Sequence, residues 1–576
     1  MNVRGPETAG SRLRRDERRE LPAAGGRAAD PRDVTETALL TKIPSSRFST
    51  DKHDGPDGVA DRRVRGTTRA PKPPLRMRLW MLVPLLPILA VQAVFAWRLL
   101  ITNTAFLDEA TYMWSGHLVA EHIAHGKSTL QFETYFSGAP VIYPVLAAIA
   151  GKLGGLTAAR LLSLVFMLFA TTAVFLTGRR MHGALTGFFA AGLFAALGPT
   201  LHLSSFATFD ALALCLLAWS THEVVRFAHG DSRNALLYGA ILMVLADCTK
   251  YACLLWNPVI ILLAATAGPG YEAWRCSRSW NLQRFAMVST TLLALAVVIG
   301  RAPYFTGFDH TTLQRAAGGS SSSSIVSQVG VWIGALLALG LLGMLVSLWL
   351  LRRGTLSKSE VATFAVLLVA GLLAPANQLR IHTLLSLAKH VDFGAAFTAI
   401  PAGFLLARFV RALGGSIQTS RVRYVVSVGL VAAVALVPLN VAGARVATNL
   451  HNAWPASTKM IAALKPLVHK GNDEYLVEDY YVAAYYLPSI NFWQWQDTYT
   501  TTYTDPATHT QLTGAAAFKA AVLAHEYKVI VLDYGDTVAL DDAITGAISK
   551  AKYHRVAQIP VQYGSSKIIY SIWEAP

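Results

Sequence analysis

Two adjacent carboxylates, Asp108 and Glu109, stand just past the end of the first strongly apolar segment, in FLDEATYMWSGHLVAEHIAHGKSTLQFETYFSGAPVIY (106–143). A carboxylate is a weak base in bulk water, with a pKa around 4. Held in a membrane-flanked cleft, it can take the proton of an attacking hydroxyl. The same pair can also cap a helix beginning near Ala110, a position that favours Asp. Further along, Glu133 precedes Gly138-Ala139-Pro140. With His117, His122 or His125 it could hold a divalent metal, against the plainer reading of solvated loop histidines. Tyr112, which shares a helical face with Val119 and Ile123, and Tyr143 at the end of the stretch are candidate substrate contacts.

Three other places carry charge where an apolar chain should avoid it. Asp210 enters an apolar helix near its end, where an ionisable group is costly and points to pairing or function. Asp247 and Lys250 sit at the join of two short apolar runs, as a structural bridge or as part of a site. The loop NQLRIHTLLSLAKHVDFG (377–394) sets Arg380, His382, Lys389 and His390 together. Such cations suit a phosphate or pyrophosphate, or plain headgroup anchoring, and Lys389-His390 also opens a helix, where an anion is favoured. The long polar loop 301–328, with its Gly-Gly-Ser run, reads as a lid or a linker.

The elements that must position these residues are membrane spans. The 576-residue chain is 53% hydrophobic and only 15% charged, against about 25% for soluble domains. Its first span covers about 79–101. Further apolar runs fall at 156–177, 184–199, 203–225, 235–249, 251–268, 285–300, 329–351, 361–378, 392–410 and 424–443, making about eleven crossings. Residues 141–150 are too short to span and read as re-entrant or interfacial. Basic residues alternate along the connecting loops, with Arg179-Arg180, Arg226, Arg233, Arg352-Arg353 and Arg421 on one side. By the positive-inside rule that side is cytoplasmic, together with the N-terminus, and Asp108 faces outward.

The domains expected are a disordered cytoplasmic tail (1–75), a transmembrane domain (76–443, first outer loop 102–140) and an extracytoplasmic α/β domain (444–576). Residues 1–79 hold 18 Lys/Arg and 11 Asp/Glu, which supply +7 of the net +16, and the tail lacks apolar periodicity. In the last region 527–535 and 566–574 read as strands, 514–526 as an Ala-rich helix, and 474–488 as strand then helix. Its aromatics Tyr480, Tyr481, Tyr485, Tyr486, Trp493 and Trp495 could stack on sugar rings or pack this domain onto the membrane part. The four cysteines match no zinc spacing, and no nucleic-acid module is present.

Taken in order, FLDEATY, ETYFSGAPVIYPVLAAIAGKLGG, TAARLLSLVFMLFATTAVFLTGRRMHG, PTLHLSSFATFDALALCLLAW and ADCTKYACLLWNP resemble the GT-C superfamily of membrane glycosyltransferases. The resemblance is to the protein O-mannosyltransferase and aminoarabinose-transferase-like group, of actinobacterial type in its C-terminal region. It covers about 78–443. It implies transfer of a sugar from a polyprenyl-phosphate carrier to a protein, polysaccharide or lipid hydroxyl at the outer face of the plasma membrane. The family's catalytic base then maps to Asp108. Beside what the resemblance implies, Glu109 is a supporting catalytic candidate, and Glu133, Tyr112, Tyr143 and Asp210 are candidate substrate contacts. In the aminoarabinose transferases the later loop Glu precedes Lys. Here Glu133 precedes Thr134, so the phosphate-binding charge falls to Lys250, Arg380, Lys389 or His390. The competing class is a lipid or solute transporter, or flippase, using the same cleft.

Overall fold

The computed structural model describes residues 82–576 apart from 233, 269–273, 316, 416–419, 499–501, 507 and 536. The tail at 1–75 and Arg233 therefore lie outside the described residues. Helices α1 (Leu86–Leu100), α2 (Leu107–His125), α3 (Tyr143–His182), α4 (Ala184–Ala195), α5 (Gly198–Leu203) and α6 (Phe209–Ala228) come first. They are followed by α7 (Asn234–Thr249), α8 (Asn257–Thr266), α9 (Trp274–Phe308), α10 (Ser322–Arg352), α11 (Lys358–Arg380), α12 (Leu387–Gly414) and α13 (Arg421–His451). Among the described residues eight helices are long and apolar enough to cross a membrane, and α4, α7 and the 251–266 segment are shorter apolar helices in the runs expected to cross. The chain is a multi-pass membrane protein.

The 141–150 piece is the first arm of α3, which breaks at Gly154-Gly155. Gly155 takes φ +63°, a left-handed conformation that glycine adopts without a side-chain clash. Leu146, Ile149 and Leu153 on this arm are exposed and apolar, as an interfacial arm requires. At the centre of the bundle lies α12, buried continuously from His390 to Ala407. Helices α9 and α13 instead show apolar residues such as Val298 and Val434 outward, the face that hydrocarbon would cover.

The expected 301–328 loop is mostly ordered helix. The backbone kinks at Arg301 (φ +59°) and stays helical to Phe308, and a π-turn spans Asp309–Leu313. The serine run is no flexible linker: Ser321 caps α10, accepting the Ser324 N–H at 3.2 Å.

Beyond α13, α14 (Thr458–Leu464) leads into a five-stranded mixed sheet. Strands β1 (Glu474–Val477), β2 (Trp495–Gln496), β5 (Tyr527–Leu532), β6 (His554–Tyr563) and β7 (Ser566–Glu574) are ordered β2-β1-β5-β7-β6. The first three are parallel and the last two pair antiparallel. The small hairpin β3 (Thr502–Thr504) and β4 (Gln511–Thr513) stands apart, and α15 (Tyr480–Tyr486), α16 (Gly514–Leu523) and α17 (Val538–Lys550) connect the strands. The aromatic face of α15 packs onto α2. Trp114 meets Tyr480 and Tyr481 edge-on, with centroids 5.8 and 5.7 Å apart, and the Tyr486 hydroxyl accepts the Ala105 N–H at 2.9 Å. Sheet and Asp108 thus lie at the same end of the bundle.

Candidate active site

The two neighbouring carboxylates have opposite surroundings. Helix α2 begins at Leu107, earlier than its apolar pattern suggests, so Asp108 and Glu109 both fall in its first turn. It is Glu109 that reaches back to accept the Phe106 N–H, at 3.1 Å. Glu109 also takes the Arg160 Nε and Nη2 protons at 2.8 and 2.7 Å and the Ala207 N–H at 2.8 Å. Arg160 spends its remaining protons on the carbonyls of Leu100, Thr102 and Thr104. Both side chains are sealed, at 0 and 1% exposure. Two-pronged guanidinium–carboxylate pairing of this kind fixes geometry, and here it ties the first loop to α3 and to the start of α6.

Asp108 is open, its side chain 41% exposed, and its one ion pair is with Lys389 Nζ in the first turn of α12. Beside it, Lys250 pairs with Asp210 at 2.6 Å, both buried, and the Thr208 hydroxyl donates to the other Asp210 oxygen at 3.1 Å. Each lysine lies over a ring of the FATFD segment. Lys250 sits 4.7 Å from the Phe209 centroid and Lys389 5.6 Å from that of Phe206, contacts that favour a desolvated ammonium. His390, buried beside Gln378 at 3.2 Å, and Arg315 are close enough to interact electrostatically with these charges. Lys250 is delivered by a tight junction in which Ala139 N–H donates to Cys248 O and Tyr251 N–H to Ser137 O, at 2.8 and 2.9 Å. A Cβ on Gly138 would lie 2.0 Å from Thr249 O, so only glycine fits there.

Of the residues singled out from sequence, Asp108, Asp210, Lys250, Lys389 and His390 therefore converge. Tyr112 joins them, buried 4.3 Å (centroids) from Phe209 and near both aspartates. Arg380 does not: it is exposed and donates to Asn377 at 3.0 Å. Tyr143 is enclosed in the core, its hydroxyl 3.1 Å from Ser163. Glu133 lies instead near Tyr135, Tyr251 and Tyr304. His122 faces Lys127 O at 2.7 Å and His125 is 3.3 Å from Glu121. Among the described residues no three His, Cys, Asp or Glu side chains are grouped to hold a metal. Sequence reasoning passed over Arg160 and Arg315. A lone arginine within the apolar run 156–177 was the available signal for the first.

A mostly apolar groove of about 490 Å³ is lined by Ile142, Cys248, Tyr251, Leu254, Val297 and Phe308 among others, with Asp247 and Arg301 also on its wall.

In fold the chain is similar to solved polytopic membrane proteins. The structure of ArnT from Cupriavidus metallidurans bound to undecaprenyl phosphate superposes with a TM-score of 0.55 at 15% identity, over 85% of this chain and 98% of that one. The Archaeoglobus fulgidus oligosaccharyltransferase in its apo form gives 0.54 at 13% identity, over 85% and 75%. Its complex with an inhibitory peptide and a dolichol-phosphate gives 0.50 at 14%, over 86% and 75%. No family model and no curated protein matches the chain by sequence. At these identities the likeness is one of fold.

Proposed function

We propose that the chain is a glycosyltransferase that moves a sugar from a polyprenyl-phosphate donor to an acceptor hydroxyl at the outer face of the membrane. The observation that carries this reading is the cluster of two Asp–Lys pairs with His390 and Arg315 close by, together with an apolar groove whose lining includes Cys248 and Tyr251, on either side of Lys250 in the chain. A polyprenyl tail suits the groove, and the phosphate at its head suits the cations. The solved structures of like fold hold undecaprenyl phosphate and dolichol-phosphate, which supports the same class of donor here. The C-terminal sheet and the first loop then face outward, as the alternation of basic loops requires.

In the reaction the acceptor oxygen attacks the anomeric carbon while the bond from that carbon to the phosphate oxygen breaks. The proton passes to Asp108 and the electron pair stays on the departing phosphate. Lys250, Lys389, His390 and Arg315 stabilise that charge. In the resting protein Lys389 holds Asp108. An arriving phosphate competes for the same ammonium and frees the carboxylate for the acceptor. Glu109 and Arg160 act as positioning residues for the loop that carries Asp108, and Tyr112 walls the site between the two aspartates. No step of this reading passes through a divalent metal.

The test is transfer from a synthetic polyprenyl-phosphate sugar by the full chain in vesicles. Asp108→Asn keeps the shape and removes the base, so transfer should fall about 10²–10⁴-fold. Undiminished transfer would sink the assignment.

A further inference from the structure

A second cavity lies at the same end of the bundle and differs in chemistry from everything around the aspartates. It is an open cleft of about 840 Å³ between the end of α13 and the β6–β7 hairpin of the C-terminal sheet. Asn449, Asn452, Trp454, Gln562, Tyr563 and Ser566 contribute to its wall, and no charged residue does among the described residues. In a chain of net charge +16, a wholly neutral wall of amides, hydroxyls and two large rings is a selective surface. Amide side chains donate and accept at once, which matches vicinal hydroxyls, and aromatic faces pack against the C–H side of a sugar ring.

The wall is held rigidly to the active-site loop. Asn103 sends its amide protons to the carbonyls of His451 and Trp454, at 3.1 and 3.2 Å. The Trp454 ring stacks on Phe106, centroids 6.0 Å apart, two residues before Asp108.

We propose that this cavity binds a neutral oligosaccharide, on the acceptor side of the reaction. It has the volume for about two to three sugar rings. The donor's phosphate would find no counter-charge here, and its tail has a groove elsewhere. That the glycan belongs to the acceptor rests on the transferase reading; that the cavity takes a neutral glycan does not.

The experiment uses the full chain in lipid nanodiscs, free of sugar-based detergent, and saturation-transfer NMR. The probes are tetrasaccharides of glucose, mannose and arabinose, with a tetragalacturonate as the charged counterpart. At least one neutral tetrasaccharide should bind. Asn452→Ala with Gln562→Ala should weaken it about tenfold or more, as the loss of two hydrogen bonds implies. Asp108→Asn should bind it as the parent does. The proposal is overturned if no neutral probe binds, if the galacturonate binds equally well, or if the double variant binds like the parent. Retained binding alongside undiminished transfer by Asp108→Asn would remove the base assignment and leave the cavity's ligand standing.

Discussion

Asp108 and Glu109 are consecutive in the chain and chemically almost identical, yet one is open and singly paired while the other is sealed and saturated. Four N–H donors satisfy Glu109, so no proton acceptor capacity is left for a substrate. Asp108 is ion-paired to Lys389, on a different helix, and its side chain stays 41% exposed. A carboxylate's fitness as a base is thus set by what else it must hold. Of two neighbouring acids, the less satisfied one is free to act.

The strongest way to break the comparison is to open the sealed pair. Arg160→Met strands a buried carboxylate, and should cost about 3–5 kcal/mol of stability, read as a lowered Tm of the purified chain. Glu109→Gln should be nearly as damaging. Asp108→Asn, by contrast, leaves Lys389 with Asp210 as a nearby counter-charge, so it should lower the Tm less than Arg160→Met does, and its main effect should be on transfer. Lys389→Met probes the open pair from its other half. It should raise the KM for the polyprenyl-phosphate donor about ten- to hundredfold, the loss of one charge-assisted bond, with a smaller effect on Tm than Arg160→Met.

A third arrangement sharpens the contrast at the smallest scale: buried acids with no cation paired to them among the described residues. At the C-terminal sheet Glu478 accepts from Asp533 N–H at 2.8 Å, and from the Thr537 N–H and hydroxyl at 3.2 and 2.9 Å. These bonds hold its pKa below the ordinary value despite burial. Burial first, and then the Glu478 charge, push Asp533 and Asp541 upward. The unfolded chain ionises these two aspartates near pH ~4, before the folded one does. Their contribution to stability is therefore present at acid pH and lost as pH rises through the raised folded values. Hydrogen exchange on β5 and α17 should speed up between mildly acidic and mildly alkaline pH beyond the intrinsic rate, and Asp541→Asn should flatten that dependence. A flat profile in the parent would show that the acids are not held neutral.

The sequence by itself determined the membrane class, because runs of about twenty apolar residues admit few other solvents. It also marked β5, β7, α16 and the β1–α15 pair through local periodicity. It singled out Asp108, Asp210, Lys250, Lys389 and His390, since charge in an apolar chain is conspicuous wherever it stands. Strand β6 was missed although Ala557, Ile559, Val561 and Tyr563 alternate with Gln558, Pro560 and Gln562 in HRVAQIPVQY; it forms an outer strand of the sheet, paired with β7, where Pro560 is tolerated. Tertiary structure alone decided the partners. That Lys389 reaches back 281 positions to Asp108, that Arg160 closes over Glu109 instead, and that Arg380 is left outside all follow from how the helices pack. Local pattern carries no record of contacts made across the bundle.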